Sequence, residues 1–363
     1  MDRGEYSFLS LAKKYDNFAA PGFEITLGGT SLANSQYIVP RLEVELSSDG
    51  SAGGCSFSIV GQWDYATGKW INNAEKLVEV GKSLSVKGGY ATKKEIFYGY
   101  VDDYTMDFRQ EGTPVIQVSG MDGLGYLMSL REPIYAGQKE AAAVVREILN
   151  KSVTAGFAKS VTVGGLSGYK TPLVKEQVDD WKFLNLLAQR YGASLLNVDG
   201  EMIFDTVVEQ AAPILTLEMG KGLDYFQKRV SLAHQVGKVE IWGRDVNQKA
   251  VKGVADSVSV GSGKSAAQLV GAIRKAVLRE YSEFARTQEE CEKLAKKRLN
   301  GIAMGLVSGR GRCIGIPELI PGRYIKIEDA GSKASGTYYL SKVRHIFTEN
   351  GYVTEFEVKG AKV

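Results

Sequence analysis

Histidine is almost absent from this 363-residue chain, which has only His234 and His345, and its cysteines are three, Cys55, Cys291 and Cys313. A histidine-based triad or a zinc site needs several such side chains at set spacing, and two histidines about 110 residues apart with no CxxC pair supply none. The cysteines therefore read as ordinary reduced thiols. Charge of one sign is also scarce. A formal net charge of +3 on 39.5 kDa gives no clustered basic field, so the chain is read as not binding nucleic acid. No apolar run is long enough to cross a bilayer, which predicts no stable membrane insertion. The start, with Asp2, Arg3 and Glu5 and no apolar stretch of signal-peptide length, predicts no general secretion signal. Proline is rare, 8 residues against 42 glycines, and that imbalance favours many short strands joined by tight turns.

What is present suits an ordinary folded protein. Hydrophobic residues at 44%, charged residues at 24% and a mean hydropathy of -0.14 are enough for real cores, and the length predicts two or three domains. From Phe23 to about Gly120 the chain reads as strands, FEITL, YIVPRLEVELS, CSFSIVG, SLSVKGGY, EIFYGYV and PVIQVSG, with period-two alternation clearest in LEVEL and SLSV. SSDGSAGG and GGYATKK are the turns between them. A helix follows in QKEAAAVVREILNKS, with Ala141, Val144, Val145, Ile148 and Leu149 on one face. A second helix is expected after Asp179 or Asp180 as cap, with Phe183, Leu184, Leu187, Ala188 and Tyr191 as its stripe and Gly192 as its left-handed terminator. ASLLNV, the Asp199-Gly200 turn and EMIFD then make a hairpin.

Strands resume in PILTLEM, RVSLAHQV and KVEIWGRDV, and SAAQLVGAIRKAVLREY reads as one helix. Thr287 and Glu290 form a capping box for another, continued by Cys291, Leu294, Ala295, Arg298 and Leu299. From residue 305 onward GRGRCIGI, GRYIKIED, GTYYLSKVRHIF and GYVTEFEVKG are strands, with a type I′ hairpin expected at Asn350-Gly351.

A long-period repeat links the two strand-rich regions. GKSLSV from Gly81, IFYGYV to Val101 and PVIQVSG to Gly120 recur as GRYIKI from Gly322, TYYLSKV to Val343 and TEFEVKG to Gly360, at separations of 241, 242 and 240. Three elements in one order at one offset predict two copies of a β unit flanking a helical middle. Three such chains in a ring would present six nearly equivalent units, a physical way to join threefold and sixfold assemblies.

These segments, IFYGYVDDYTMDF with PVIQVSGMDGLGYLM, DDWKFLNLLAQRYGASLLNVDGEMIF, and PGRYIKIEDAG with GTYYLSKVRHIFTENGYVTEF, resemble the phage late control protein D family, the baseplate hubs of contractile tails. They are also similar to the N-terminal hub half of type VI secretion spike (VgrG) proteins. The resemblance runs from about residue 23 to the end, and is most specific in the middle segment with Trp181, Phe183, Leu184 and Tyr191-Gly192. It implies a β-rich α+β fold, two similar β-barrel domains with a helical α+β middle. The expected division is an extension at 1–22, a first barrel at 23–135, a middle domain at 136–212, linking strands and helices at 213–304 and the rest of the second barrel at 305–363. It further implies a homotrimer that seats a sixfold inner tube protein on one face and a central spike protein on the other, among other baseplate or tape-measure components. Such a hub is assembled in the bacterial cytoplasm and ends up in a phage tail or a released injection particle. No needle-like repeat follows the hub region, so the spike would be a separate protein. The SFLSLAKKYDNF stretch lies outside the resemblance and reads as a short docking helix.

GSGKS at Gly261–Ser265 has Val258 where a phosphate-binding loop needs glycine, and reads as a flexible loop leading into a helix. Asp102-Asp103 lie on a strand, where neighbours point to opposite faces, and Asp179-Asp180 are explained by helix capping, so neither pair makes a glycosidase-like site. His345 reads as a strand-face residue. Lys293, Lys296, Lys297 and Arg298, with Glu289, Glu290 and Glu292 nearer the helix start, suit the helix dipole on a solvated face. Arg310 and Arg312 lie either at an interface or lumen or on a surface turn. No catalytic, cofactor or metal residue is assigned, and the chain is read as a non-enzyme. The competing classes are a tail-associated cell-wall hydrolase, which would need a separate catalytic segment, and a carbohydrate- or receptor-binding β module, which would need exposed aromatic platforms.

Overall fold

The structure is a computed structural model and describes every residue except 1–3, 33–36, 72, 111, 138, 167–172, 207–208 and 210–211. Of the residues read at the amino terminus, Asp2 and Arg3 thus lie outside the described part. Two similar β-barrels make up the architecture. The first is built from β1 (Gly22–Leu27), β2 (Arg41–Ser47), β3 (Gly54–Val60), β4 (Ser83–Gly89), β5 (Lys93–Asp107) and β6 (Val115–Asp122), in the spatial order β1-β4-β5-β6-β3-β2. The second uses β7 (Pro213–Met219), β8 (Gly222–Val230), β9 (Val307–Ile314), β10 (Tyr324–Glu328), β11 (Gly336–Thr348) and β12 (Gly351–Gly360), in the order β7-β10-β11-β12-β9-β8. Adding six to each label of the first order gives the second. The repeat read from β4–β6 and β10–β12 therefore extends to all six strands of each unit.

The units differ at their ends. In the second, β7 and β8 pair in parallel at Glu218↔Gly222 and Met219↔Leu223 and close the ring. In the first, β1 and β2 do not pair among the described residues, because the outer edge of β2 is taken by β11. β11 is long enough to serve two partners on one edge. Its Gly336–Tyr339 stretch pairs with β10, and its Lys342–Thr348 stretch pairs antiparallel with Ser47–Arg41 of β2. A bulge between Leu340 and Lys342 opposite β12 marks the changeover. The result is one continuous 13-stranded sheet.

Period-two alternation places one face of this seam in a core shared by both barrels. Leu42, Val44, Leu46, Val343 and Phe347 are buried there, and Phe347 stacks on Tyr352 at 3.9 Å and meets Phe23 edge-on at 5.4 Å. His345 is also inside, fully buried opposite Val44, with Nδ1 2.8 Å from the Tyr352 hydroxyl and 3.3 Å from that of Thr354.

The first residues clasp the junction of the barrels. α1 (Phe8–Lys14) starts from a reciprocal Ser7–Ser10 capping box and docks on its own chain. Leu11 and Tyr15 are buried, the Tyr6 amide donates to Ile214 O, and Tyr15 and Lys14 both donate to the buried Glu318 carboxylate, at 2.6 and 2.7 Å. Burial, reinforced by Glu318, pushes the Tyr15 hydroxyl pKa far up. The chain then turns through Asp16, Asn17 and Phe18 at φ of 48°, 55° and 62°, with Ala20 at 52°. Left-handed geometry in L-residues other than glycine costs about 1–2 kcal/mol each. The packing of Phe18 against Phe8, Tyr15 and Tyr90 holds it in place.

Two further layers sit beside the barrels. α2 (Ala141–Thr154) and α3 (Asp180–Tyr191) pack on the hairpin Ser194–Val198/Glu201–Asp205, to which Ser160–Val163 adds in parallel. The five apolar residues expected on each helix are all buried, Asp179 caps α3, and Gly192 ends it at φ 59°. Asp199 and Gly200, both at positive φ, make the expected turn. Asp122, buried at the exit of the first barrel, accepts from the Gly53 and Leu124 amides at 2.8 Å, and burial pushes its pKa up to about 7. Between β8 and β9 a sheet of Lys238–Arg244, Ala250–Ala255 and Val277–Tyr281 packs one face on α4 (Gln288–Ala303), which carries the Thr287–Glu290 capping box.

Several expectations are corrected. SAAQLVGAIRKAVLREY is not one helix: it breaks after Leu269, where Val270 is extended, re-forms over Gly271–Arg274, and ends as a strand. Parallel pairing of Val277–Tyr281 with Lys238–Trp242 overrides the helical pattern. RVSLAHQV leaves the sheet at Val230, and His234 stands in a turn at φ 61°. The β11–β12 turn is Glu349-Asn350, one residue earlier than expected. Neither has positive φ, so it is not type I′, and the left-handed position falls on Gly351 at φ 118°.

Ala20 is exposed, so Ala20→Gly relieves left-handed strain without removing packing and should stabilise the docked segment by about 0.5–1 kcal/mol. Hydrogen exchange at the Tyr6, Leu11 and Tyr15 amides should slow, and unchanged or faster exchange would show that the turn stores no strain. Burial lowers the His345 pKa to about 3, from 6.5 when exposed. A depressed pKa means that stability present above 6.5 is lost as the pH falls, since only the unfolded chain binds the proton. Asp122 acts in the opposite sense across the same window. His345→Gln should therefore gain on the parent by roughly 1.4 kcal/mol per pH unit below 6.5 in denaturant titrations, and parallel pH profiles would refute the assignment.

Candidate assembly interface

The outward face of the seam carries charge in a fixed pattern. Strand alternation sends Glu43 and Glu45 of β2, Lys342 and Arg344 of β11, Glu355 and Glu357 of β12, and Arg310 and Arg312 of β9 to the side away from the core. At these positions each strand presents one sign and its neighbours the opposite sign, with Arg41 of β2 and Lys359 of β12 as exceptions toward the strand ends. Register aligns them into rungs: Glu45, Arg344, Glu355, Arg312 and Tyr225 lie side by side, and Ser47, Lys342, Glu357, Arg310 and Gln227 form the next. The first strand belongs to one barrel and the other four to its twin.

Contacts follow this register. Lys342 reaches Glu45 at 2.8 Å, Arg344 reaches Glu43 and lies 3.7 Å from Glu355, and Arg310 donates to Gln227 at 2.8 Å. Burial alone would raise the Glu43 pKa, but hydrogen bonds from Arg344 and Arg41 outweigh it and hold the carboxyl below its ordinary value. Arg312 and Glu357 have no ion pair among the described residues, and both are exposed. A shallow depression of about 540 Å³ runs over Glu45, Arg312, Lys342, Glu355 and Glu357. Exposed pairs of this kind contribute little to stability individually, about 0–1 kcal/mol each, but fix orientation when a second charged surface approaches.

The structure places the other candidates apart from this face. Arg310 and Arg312 belong to it, on a strand and not on a turn. His345 lies beneath it in the core. GSGKS is engaged with the end of the chain, where the Lys264 amide donates to Val363 O at 2.8 Å and the Val363 amide returns the bond at 3.0 Å. A bulge between Val101 and Asp103 interrupts the regular alternation at Asp102, and Asp102 and Asp103 are both exposed. Asp180 is not a cap. It is fully buried, paired with buried Lys175 and with Lys151 at 2.8 Å. Of the α4 bases, Lys293, which pairs with Glu289 at 2.8 Å, Lys296, and Arg298, which ties the helix to Glu280 at 2.8 Å, are exposed as read, but Lys297 is half-buried beside Gly192 and burial lowers its pKa. All three cysteines are free and buried. Among the described residues no group of three or more acidic, histidine or cysteine side chains could hold a metal, and no helix is long and apolar enough to cross a membrane.

The charge lattice was missed in the sequence, although a signal existed. The polar positions of LEVEL, LSKVR, TEFEV and GRGRC carry one sign per strand.

Known structures share this architecture. The 43 kDa tail protein of prophage MuSo2 from Shewanella oneidensis is similar at 16% identity over 93% of this chain and 98% of that one, with a TM-score of 0.66. The tail protein from Neisseria meningitidis MC58 is similar at 13% identity over 94% and 97%, with a TM-score of 0.67. An Escherichia coli protein described as a component of the type VI secretion system matches at 13% identity over 92% and 76%, with a TM-score of 0.54. The resemblance to tail-hub proteins read in the sequence is thus matched by the fold. No curated protein matches the chain in sequence. Residues 23–349 match the family described as Alg8 N-terminal domain, and the chain belongs to that family.

Proposed function

We propose that the chain is a non-catalytic structural subunit, a trimeric hub that joins a sixfold inner tube to a central spike in a phage tail or a related contractile injection particle assembled in the bacterial cytoplasm. One observation carries this reading: a single chain contains the same six-strand order twice, fused edge to edge through β2 and β11. Three copies around an axis present six like units to a sixfold partner and three like chains to a threefold one. The fold shared with phage tail proteins and a type VI secretion component supports the same setting. The charge lattice supports a role in contact between subunits, since it spans both barrels and leaves Arg312 and Glu357 free to engage another surface.

Mass measurement and negative-stain imaging of the purified chain test the reading. Threefold rings with a central hole are expected, and a monomer at tens of micromolar without rings would refute it. Arg344→Glu sets a like charge against Glu43, Glu45 and Glu355 and should lower stability by about 1–2 kcal/mol in urea titrations. No change would show that the seam rests on its buried face and backbone pairing alone.

A further inference from the structure

The sheet inserted between β8 and β9 has one covered and one open face. Val239 and Ile241 point into the apolar contact with α4, so the alternate positions point away from it. The open face carries Lys238, Glu240, Trp242 and Arg244 on its central strand, Lys252 and Val254 on one side, and Arg279 and Tyr281 on the other. Register sets Trp242 directly between Lys252 and Tyr281, and Glu240 between Val254 and Arg279. Lys238, Lys252 and Arg279 all bond the Glu240 carboxylate at 3.0–3.1 Å, and the first two hold its pKa down to about 2. One acid thus meets three bases, and Arg244 adds a fourth. Trp242 remains 38% exposed and Tyr281 59%, so rings and surplus positive charge face solvent together. Neither property is needed for the fold of a sheet already covered by α4.

The same chain carries an exposed surplus of the opposite sign. Asp102 and Asp103, at the bulge in β5, are both exposed, and neither has an ion pair among the described residues. A ring of identical chains is built from heterologous contacts, in which one patch of each copy meets a different patch of the next. Complementary fields favour such pairings and disfavour like-with-like contact.

We infer that the open face around Trp242 is a docking surface for a second copy of this chain, and that it receives the Asp102-Asp103 bulge of its neighbour. The inference rests on the trimer proposed above and names its contact. Charge exchange tests it by mass photometry of the full chain at physiological salt. One variant carries Asp102→Lys and Asp103→Lys. The other carries Arg244→Glu and Arg279→Glu, which leaves Lys238 and Lys252 to neutralise Glu240. Each alone should weaken trimerisation by roughly tenfold or more, and the four changes combined should restore much of the loss. Melting curves confirm that each variant is folded, and Trp242→Ala offers a neutral check on the same face. If the parent is a trimer and both one-sided variants match it, the inference is overturned and the face belongs to an acidic segment of a different protein. Weakening by each without rescue in combination would also overturn the pairing. A monomeric parent would instead remove the hub reading itself.

Discussion

The antiparallel pairing of β2 with β11 is the constraint on which the rest of this structure depends. Seven residue pairs along it join two barrels that share no other ladder among the described residues. Because side chains alternate across a strand, one register sets both faces at once: Val44 opposite His345 inside, Glu45 opposite Arg344 outside. A slip by one residue would bury the charges and expose the core. The apolar interior and the charge lattice therefore specify the same alignment.

The price of fusing the barrels is a set of local irregularities, each with a physical cause. β11 must leave β10 before it can meet β2, and a bulge absorbs the change. The first barrel gives up an edge-to-edge closure because β2 is occupied. The segment from Tyr6 to Ala20 bridges the junction, reaching β7 through Tyr6 and the aromatic cluster around Tyr90 through Phe18, and follows a left-handed course to do so. Glu318 draws it down by accepting from both Lys14 and Tyr15. Strain and a buried carboxylate are tolerated here because the apolar packing of Leu11 and Tyr15 outweighs them.

Elements governed by neighbours in sequence were legible without coordinates. The stripes of α2 and α3, the Gly192 terminator, the Thr287–Glu290 box and the Asp199-Gly200 turn all depend on contacts within a few residues, and each is found where the pattern puts it. The repeat was legible for a related reason, since each β unit imposes the same alternation on its strands. Where distant pairing competes with local preference, the pattern misleads. Val277–Tyr281 has helix-like spacing but becomes a strand beside Lys238–Trp242, and Asp102-Asp103 escape alternation through a bulge that depends on β6.

By itself the amino-acid sequence determined the β-rich class, the twofold repetition of the barrel unit, the helical middle and the lack of histidine or cysteine groupings that chemistry would need. Only the tertiary structure decided that the barrels share a ladder and a core, that charged pairs on four strands align into an alternating lattice, and that the inserted sheet leaves an aromatic, basic face open. The physical reason is the range of the forces concerned. Helix caps, turns and alternation act over a few residues and are written locally, whereas strand partnership is chosen among segments hundreds of residues apart by the burial and charge matching of whole surfaces.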